Sequence, residues 1–456
     1  MNSQGTTHRM LSSSGILGYG FPSSSLEAGL ERGIDMLGVD GGSTDPGPFY
    51  LGSGKTLNSR LAMRRDIALM LHGALACRVP LVIGSCGGAG GAPHLAAVVD
   101  IVREIAVAEG RHFRLAVIQS EQPKARVRTA LAAGRIKPLR GVAPLDEDTL
   151  ERAERVVAMM GAEPFAAALD AGAQVVLAGR ASDPAPWAAS AIRAGLPPAP
   201  AWYAGKMLEC GATPAVPKGH DCLYARIDAD GVVLEPTAPE RRCTPSSVAN
   251  HSLHENPSPC IHLEPGGVLD TTDCRFEAVS DRAVRVSGMR WRPSPYTVKL
   301  EGAELAGYRA LSICGTRDPL LIAGLDDFLA RVREAVATKA LALGVKEDGY
   351  RLFIRVYGRD GVMGPTEPVQ EIRSHELGFV IEVVAPSQEQ ADAVLALARV
   401  TMLHTDFPGR LCREGNMAFP YSPSDIAAGP VYRFSVFHVM ELDDPLAPFP
   451  IHYEDL

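Results

Sequence analysis

The sequence predicts an α/β protein with an N-terminal parallel sheet covered by helices on both faces. A β-rich middle segment and a C-terminal ferredoxin-like βαββαβ domain are expected to follow. Three observations predict this. Short apolar runs alternate with helically spaced segments from residue 15 to about 194. Pro and Gly then thicken over 195–219, and the last third reads strand, helix, strand, strand, helix, strand.

In order, the strand candidates are Gly15–Tyr19, Asp35–Asp40, Val79–Ile83, Arg114–Ile118 and Ala173–Leu177. Between them, 59–77 carries Leu61, Ile67, Met70 and Leu71 on a helical period, and 94–109 carries Leu95, Val98, Val102 and Ile105. Residues 220–300 show short alternating runs such as Cys222–Ile227 and Ala283–Ser287. The last third offers strands at 308–313, 352–357, 379–384 and 431–437, with helices at 325–343 and 387–403. The expected domains are a flexible arm (1–14), an α/β domain (15–219), a β-rich connection (220–300) and the ferredoxin-like domain (301–456). No internal repeat or low-complexity tract is present.

A chain of 456 residues suits two or three domains of about 100–200 residues each. Its 46% apolar and 21% charged residues are ordinary globular composition. A net charge of −8 with no basic face argues against nucleic acid as a partner. Nine cysteines without a C-x-x-C pair fit reduced thiols and a cytoplasmic setting. No apolar run approaches the ~18 residues of a membrane span, and the N-terminus lacks a signal-peptide core, so no membrane association is expected.

In an open parallel sheet, ligands bind beyond the carboxyl ends of the strands. The second strand runs into Asp40-Gly-Gly-Ser43-Thr44-Asp45, and the third into Gly84-Ser85-Cys86-Gly87-Gly88-Ala-Gly90-Gly91, with His94 opening a helix. Gln119-Ser-Glu121 follows the fourth strand, and Gly179-Arg180-Ala-Ser182-Asp183 the fifth. Acids, hydroxyls, a guanidinium and glycine backbone are therefore expected on one sheet edge. Helix capping is the plain alternative for Ser182 or Asp183, and a tight turn for the glycines. Five glycines in eight residues exceed a turn's needs and favour anion binding at the following helix start. Arg180 is the natural fork for a carboxylate or phosphate. Asp40, Asp45, Glu121 and Asp183 are acid–base candidates, because crowded carboxylates drive their pKa values apart.

Neither nucleotide signature is met. Gly88-Ala-Gly90-Gly-Ala-Pro93 lacks the third Rossmann glycine, and Gly52-Ser-Gly54-Lys55-Thr56 has Phe49 where a P-loop needs Gly. No NAD or ATP is expected. Cys86, or Cys210 beside Glu209, is a candidate nucleophile with no neighbouring His, and a buried inert thiol is the alternative. In Asn250-His251-Ser-Leu-His254-Glu255-Asn256, the two histidines are spaced for a metal if helical, with Glu255 beside them; the third ligand must come from elsewhere.

Several longer phrases go together: Gly18-Tyr-Gly-Phe-Pro22, Gly38-Val-Asp-Gly-Gly-Ser-Thr-Asp-Pro-Gly-Pro48, Leu51-Gly-Ser-Gly-Lys55 and the 84–91 run. Downstream are Glu264-Pro-Gly-Gly-Val-Leu-Asp270, Val298-Lys-Leu-Glu-Gly302, Tyr357-Gly-Arg-Asp-Gly361 and Ala418-Phe-Pro-Tyr-Ser-Pro-Ser-Asp425. With these, the chain resembles the acyclic terpene utilisation (AtuA-type) family over about residues 15–451. The resemblance implies bacterial catabolism that proceeds through CoA thioesters of branched, unsaturated acids, in some relatives with a small extra domain or partner protein. It carries over no catalytic residue.

The expected function is thus a catabolic lyase, a hydratase/dehydratase or C–C lyase, acting on a branched carboxylic acid or its CoA thioester. Asp45, Glu121 or Asp183 would move the proton, with Ser43 or Ser85 at the oxyanion and the 84–91 loop and Arg180 on the anion. No redox cofactor is required, and a divalent metal is an alternative way to polarise the carbonyl. Two further readings stand beside it: a non-catalytic acyl-CoA-binding or partner-dependent subunit, and a cysteine-dependent thioester hydrolase. A homo-oligomer is the generic expectation for such an enzyme.

Overall fold

A computed structural model describes residues 6–255, 258–411 and 414–456. The chain divides into two units, 1–304 with 434–456, and 305–433.

The first unit is built on a ten-stranded mixed sheet. Its centre is five parallel strands in the order His8–Ser12, Met36–Asp40, Leu81–Gly84, Val175–Ala178 and Arg114–Ile118. Both faces of these strands are buried, which is why all but His8–Ser12 read as near-continuous apolar runs. Met10, Met36, Val82, Val176 and Ala116 turn to a core with Phe165, Trp187 and Trp202. Leu11, Leu37, Ile83, Leu177 and Leu115 turn to the other core, with Met63, Ile67, Val98 and Ile105 from helices Arg60–Cys77 and Ala92–Glu109. Ile451–Asp455 closes one edge, antiparallel to Arg114–Ile118.

The first strand is not where the sequence places it. Residues 15–19 form a turn, with Gly18 and Gly20 at positive φ, while His8–Ser12 in the expected flexible arm is a central strand. Polar residues hide this strand in the sequence, but they are paired: Arg9 with Asp35, and His8 Nε2 with Ser190 Oγ at 2.9 Å. The expected joint at 195–219 contains the buried helix Pro198–Leu208, because Pro at a first helical turn starts a helix instead of breaking it. Nor is 220–300 a separate connection. Leu223–Asp228 pairs antiparallel with His8–Ser12 and begins a meander that widens the sheet. A three-stranded sheet, Ile261–Glu264, Gly267–Asp270 and Arg290–Pro293, belongs to the same unit.

The second unit runs strand, helix, strand, strand, helix, strand. Its strands lie in the order Arg351–Tyr357, Leu377–Ala385, Thr297–Thr316 and Asp425–Glu441, the last two entering from the first unit. Helices Leu325–Ala342 and Gln388–His404 bury Phe328, Val332, Val394 and Leu395 against Phe379, Ile381 and Val383. Among the described residues no helix is long and apolar enough to cross a membrane.

Candidate active site at the strand ends

Because the central strands are parallel, their carboxyl ends share one edge, and Asp40, Ser85, Ser120 and Arg180 emerge there together. Arg180 is buried. Its Nε donates to Glu301 Oε2 (2.9 Å) and its Nη1 to Asp183 Oδ1 (2.8 Å), Ser85 Oγ (3.1 Å) and the Ala181 carbonyl (2.8 Å). Glu301, fully buried, also receives Lys299 Nζ at 2.6 Å and the Thr44 hydroxyl at 3.0 Å. Burial alone would raise its carboxyl, but Arg180 and Lys299 outweigh that and hold it at about 2. The Arg180 fork is thus turned onto the protein rather than toward a substrate anion.

The glycine loop serves close packing. Gly90 has φ +67°, and a Cβ there would fall 2.1 Å from the Arg180 backbone nitrogen. Ser120 Oγ accepts from Arg180 N at 2.6 Å and donates to the Gly90 carbonyl at 2.8 Å, which stitches the two loops together. Gly87 and Gly88 lie against His94 and Leu57. At the helix start expected to hold an anion, the amide of Ala92, just after Gly91, donates to Glu121 Oε2 at 2.7 Å. A protein carboxylate already fills that role, so Glu121 caps a helix. Asp45 is exposed, and its amide donates to Ser43 Oγ at 3.1 Å, which makes this pair a surface turn. His94 is buried, with Nε2 on the Tyr50 carbonyl at 2.9 Å, and burial lowers its pKa.

Of the four expected acids, Asp40 and Asp183 remain on the edge, and two further carboxyls join them. Glu209 closes helix Pro198–Leu208, and Glu264 ends the strand Ile261–Glu264. Burial pushes Asp40 well above the usual carboxylate range, and the charge of Asp183 adds to the rise against Arg180. Burial likewise takes Glu209 to about 8, although Lys206 Nζ lies 2.6 Å from its Oε1. Glu264 stands at about 7 through burial, with the Ser182 hydroxyl donating to its Oε2. The shifts of Asp40, Glu209 and Glu264 all include the field of Asp183, so the four carboxyls form one electrostatic group. Near neutral pH such a group holds both neutral acids and carboxylates, which general acid–base chemistry requires.

Lys206 and Glu264 were not legible as site residues. Glu264 lies 82 positions from its partner Ser182, in a segment with weak strand patterning. Glu209 stood out only as the neighbour of Cys210. Burial pushes the Cys86 and Cys210 thiols far up, and the Cys86 sulfur donates to the Ile83 carbonyl, so both resemble inert core cysteines more than nucleophiles. The His251 and His254 rings stack at 5.2 Å, and His254 meets Glu255 at 3.0 Å. Among the described residues no three His, Cys, Asp or Glu side chains gather to hold a metal; Asn256 lies outside those residues.

The model of one family, described as acyclic terpene utilisation family protein AtuA, matches residues 74–420. No curated protein and no solved structure matches the chain.

Proposed function

The chain belongs to the AtuA family of acyclic terpene utilisation, and from that premise and the buried carboxyl group we propose a lyase of the hydratase/dehydratase type. Its substrate is a branched carboxylic acid or the CoA thioester of one. A single observation carries the reading: Asp183, held by Arg180, shares one strand-end edge with carboxyls raised to about 7 and about 8. In the dehydration direction the Asp183 carboxylate takes the proton α to the carbonyl. The neutral carboxyl of Glu264 gives its proton to the departing β-hydroxyl, so water leaves and a double bond forms without any redox change. Asp40 and Glu209 keep the surroundings short of negative charge as the enolate develops, since both are held toward their neutral forms by burial. We further read the second unit as a ferredoxin-like module, on the strength of its strand order.

Turnover of a panel of branched β-hydroxy acids and their CoA thioesters tests this. Glu264→Gln and Asp183→Asn are each expected to lower kcat by about 10²–10⁴ while circular dichroism shows the fold kept. Because Glu264 acts as an acid in this direction, kcat/KM falls as pH rises through about 7. Undiminished turnover in both folded variants would refute the assignment.

A further inference from the structure

The same edge carries polar groups that proton transfer does not use. Lys206 is buried and gives one of its three ammonium donors to Glu209. His251, on helix Pro245–Ser252, is 4% exposed, and His262, on the strand before Glu264, is 3% exposed. Nε2 of His251, both ring nitrogens of His262 and Oε2 of Glu209 have no hydrogen-bond partner among the described residues. Burial first lowers His251 to about 3, with His254, Lys206 and Lys218 adding to it, and burial first lowers His262 to about 4, with Lys206 adding to it. They are therefore neutral near pH 7, each with one N–H to donate. Native chains pair nearly all such groups. Helix Pro245–Ser252 packs on helix Pro198–Leu208, which carries Lys206, and so does the strand Gly267–Asp270, on which Leu269 pairs with His262. Three elements distant in sequence thus gather buried, incompletely paired groups around one helix, where apolar side chains would pack at lower cost.

We propose that Lys206, His251 and His262 recognise a carboxylate, so that the substrate carries a second, spectator carboxylate besides the carbonyl group that reacts. This deepens the lyase reading and rests on it for the location of the reacting end. One cation with neutral donors matches a monoanionic carboxylate; a phosphate dianion would need more positive charge than the single Lys206 ammonium supplies.

Binding without turnover tests it. Calorimetry on the whole protein at pH 7 compares glutarate, butanoate and a simple phosphate monoester. Glutarate is expected to bind at least about tenfold more tightly than either. His262→Gln and His251→Gln should each weaken glutarate about tenfold and leave butanoate unchanged, with folding checked by circular dichroism. Equal affinity for glutarate and butanoate, no glutarate binding, or a preference for the phosphate monoester would each overturn the proposal. The wild-type comparison decides alone if a variant does not fold. It is also separable from the lyase reading, because turnover of monocarboxylate thioesters without glutarate preference would sink only the spectator carboxylate.

Discussion

Glu301 and Arg180 illustrate how strongly one buried pair organises this edge. Replacing Glu301 with Ala leaves Arg180 and Lys299 without their shared carboxylate and is expected to destabilise the protein by about 3–5 kcal/mol, read from urea unfolding. The raised and lowered groups give opposite pH slopes. Glu264 sits at about 7 against an ordinary 4.5, so its contribution is full below pH 4.5 and lost as pH rises through 7. His262 sits at about 4 against 6.5, so its contribution is full above pH 6.5 and lost as pH falls through 4. Urea midpoints from pH 4 to 8 should show the first slope vanish in Glu264→Gln and the second in His262→Gln. An unchanged slope in the matching variant would contradict the assigned environment. Asp40 was legible as an edge residue because it ends an apolar strand, and Arg180 and Asp183 were because they follow one. Lys206 and Glu264 were not, because nothing local marks a side chain whose partners lie far along the chain.

The loop 84–91 was legible as unusual but not as what it does. A glycine-rich turn before a helix start suggests a ligand's phosphate. Instead its neighbours are the Arg180 backbone, His94 and Leu57, and the Ala92 amide is met by Glu121. Gly90→Ala adds a methyl group into the Arg180 backbone on top of the positive-φ strain, and a loss of about 2 kcal/mol or more is expected. Gly110→Ala, at φ +59° with nothing within 4 Å, should cost only about 1 kcal/mol. Similar losses by calorimetric melting would mean that the close packing of the two loops is unimportant. The strand His8–Ser12 teaches a related lesson. A central strand with His, Arg and Ser looks like an arm until Asp35 and Ser190 are seen to satisfy them.

The alternation of strands and helices announced the parallel centre of the first unit, because most strands buried on both faces are near-continuous apolar runs. It could not announce that 434–456 returns to that unit after 305–433. Ile451–Asp455 covers the edge strand Arg114–Ile118, and Phe449 is buried beside it. Deleting 449–456 is therefore expected to lower the melting temperature by several degrees and promote aggregation, checked by light scattering, since a bare edge pairs with other chains. In the reading proposed above, Asp183 and its neutral carboxyl partners move a proton beside a carbonyl. The most direct measurement is deuterium incorporation at the α-carbon of branched acids and their CoA thioesters in D₂O, followed by mass spectrometry. Enzyme-dependent exchange is expected in at least one class and is lost in Asp183→Asn. Exchange that persists undiminished in that folded variant, or no exchange with a ligand shown to bind, would contradict it.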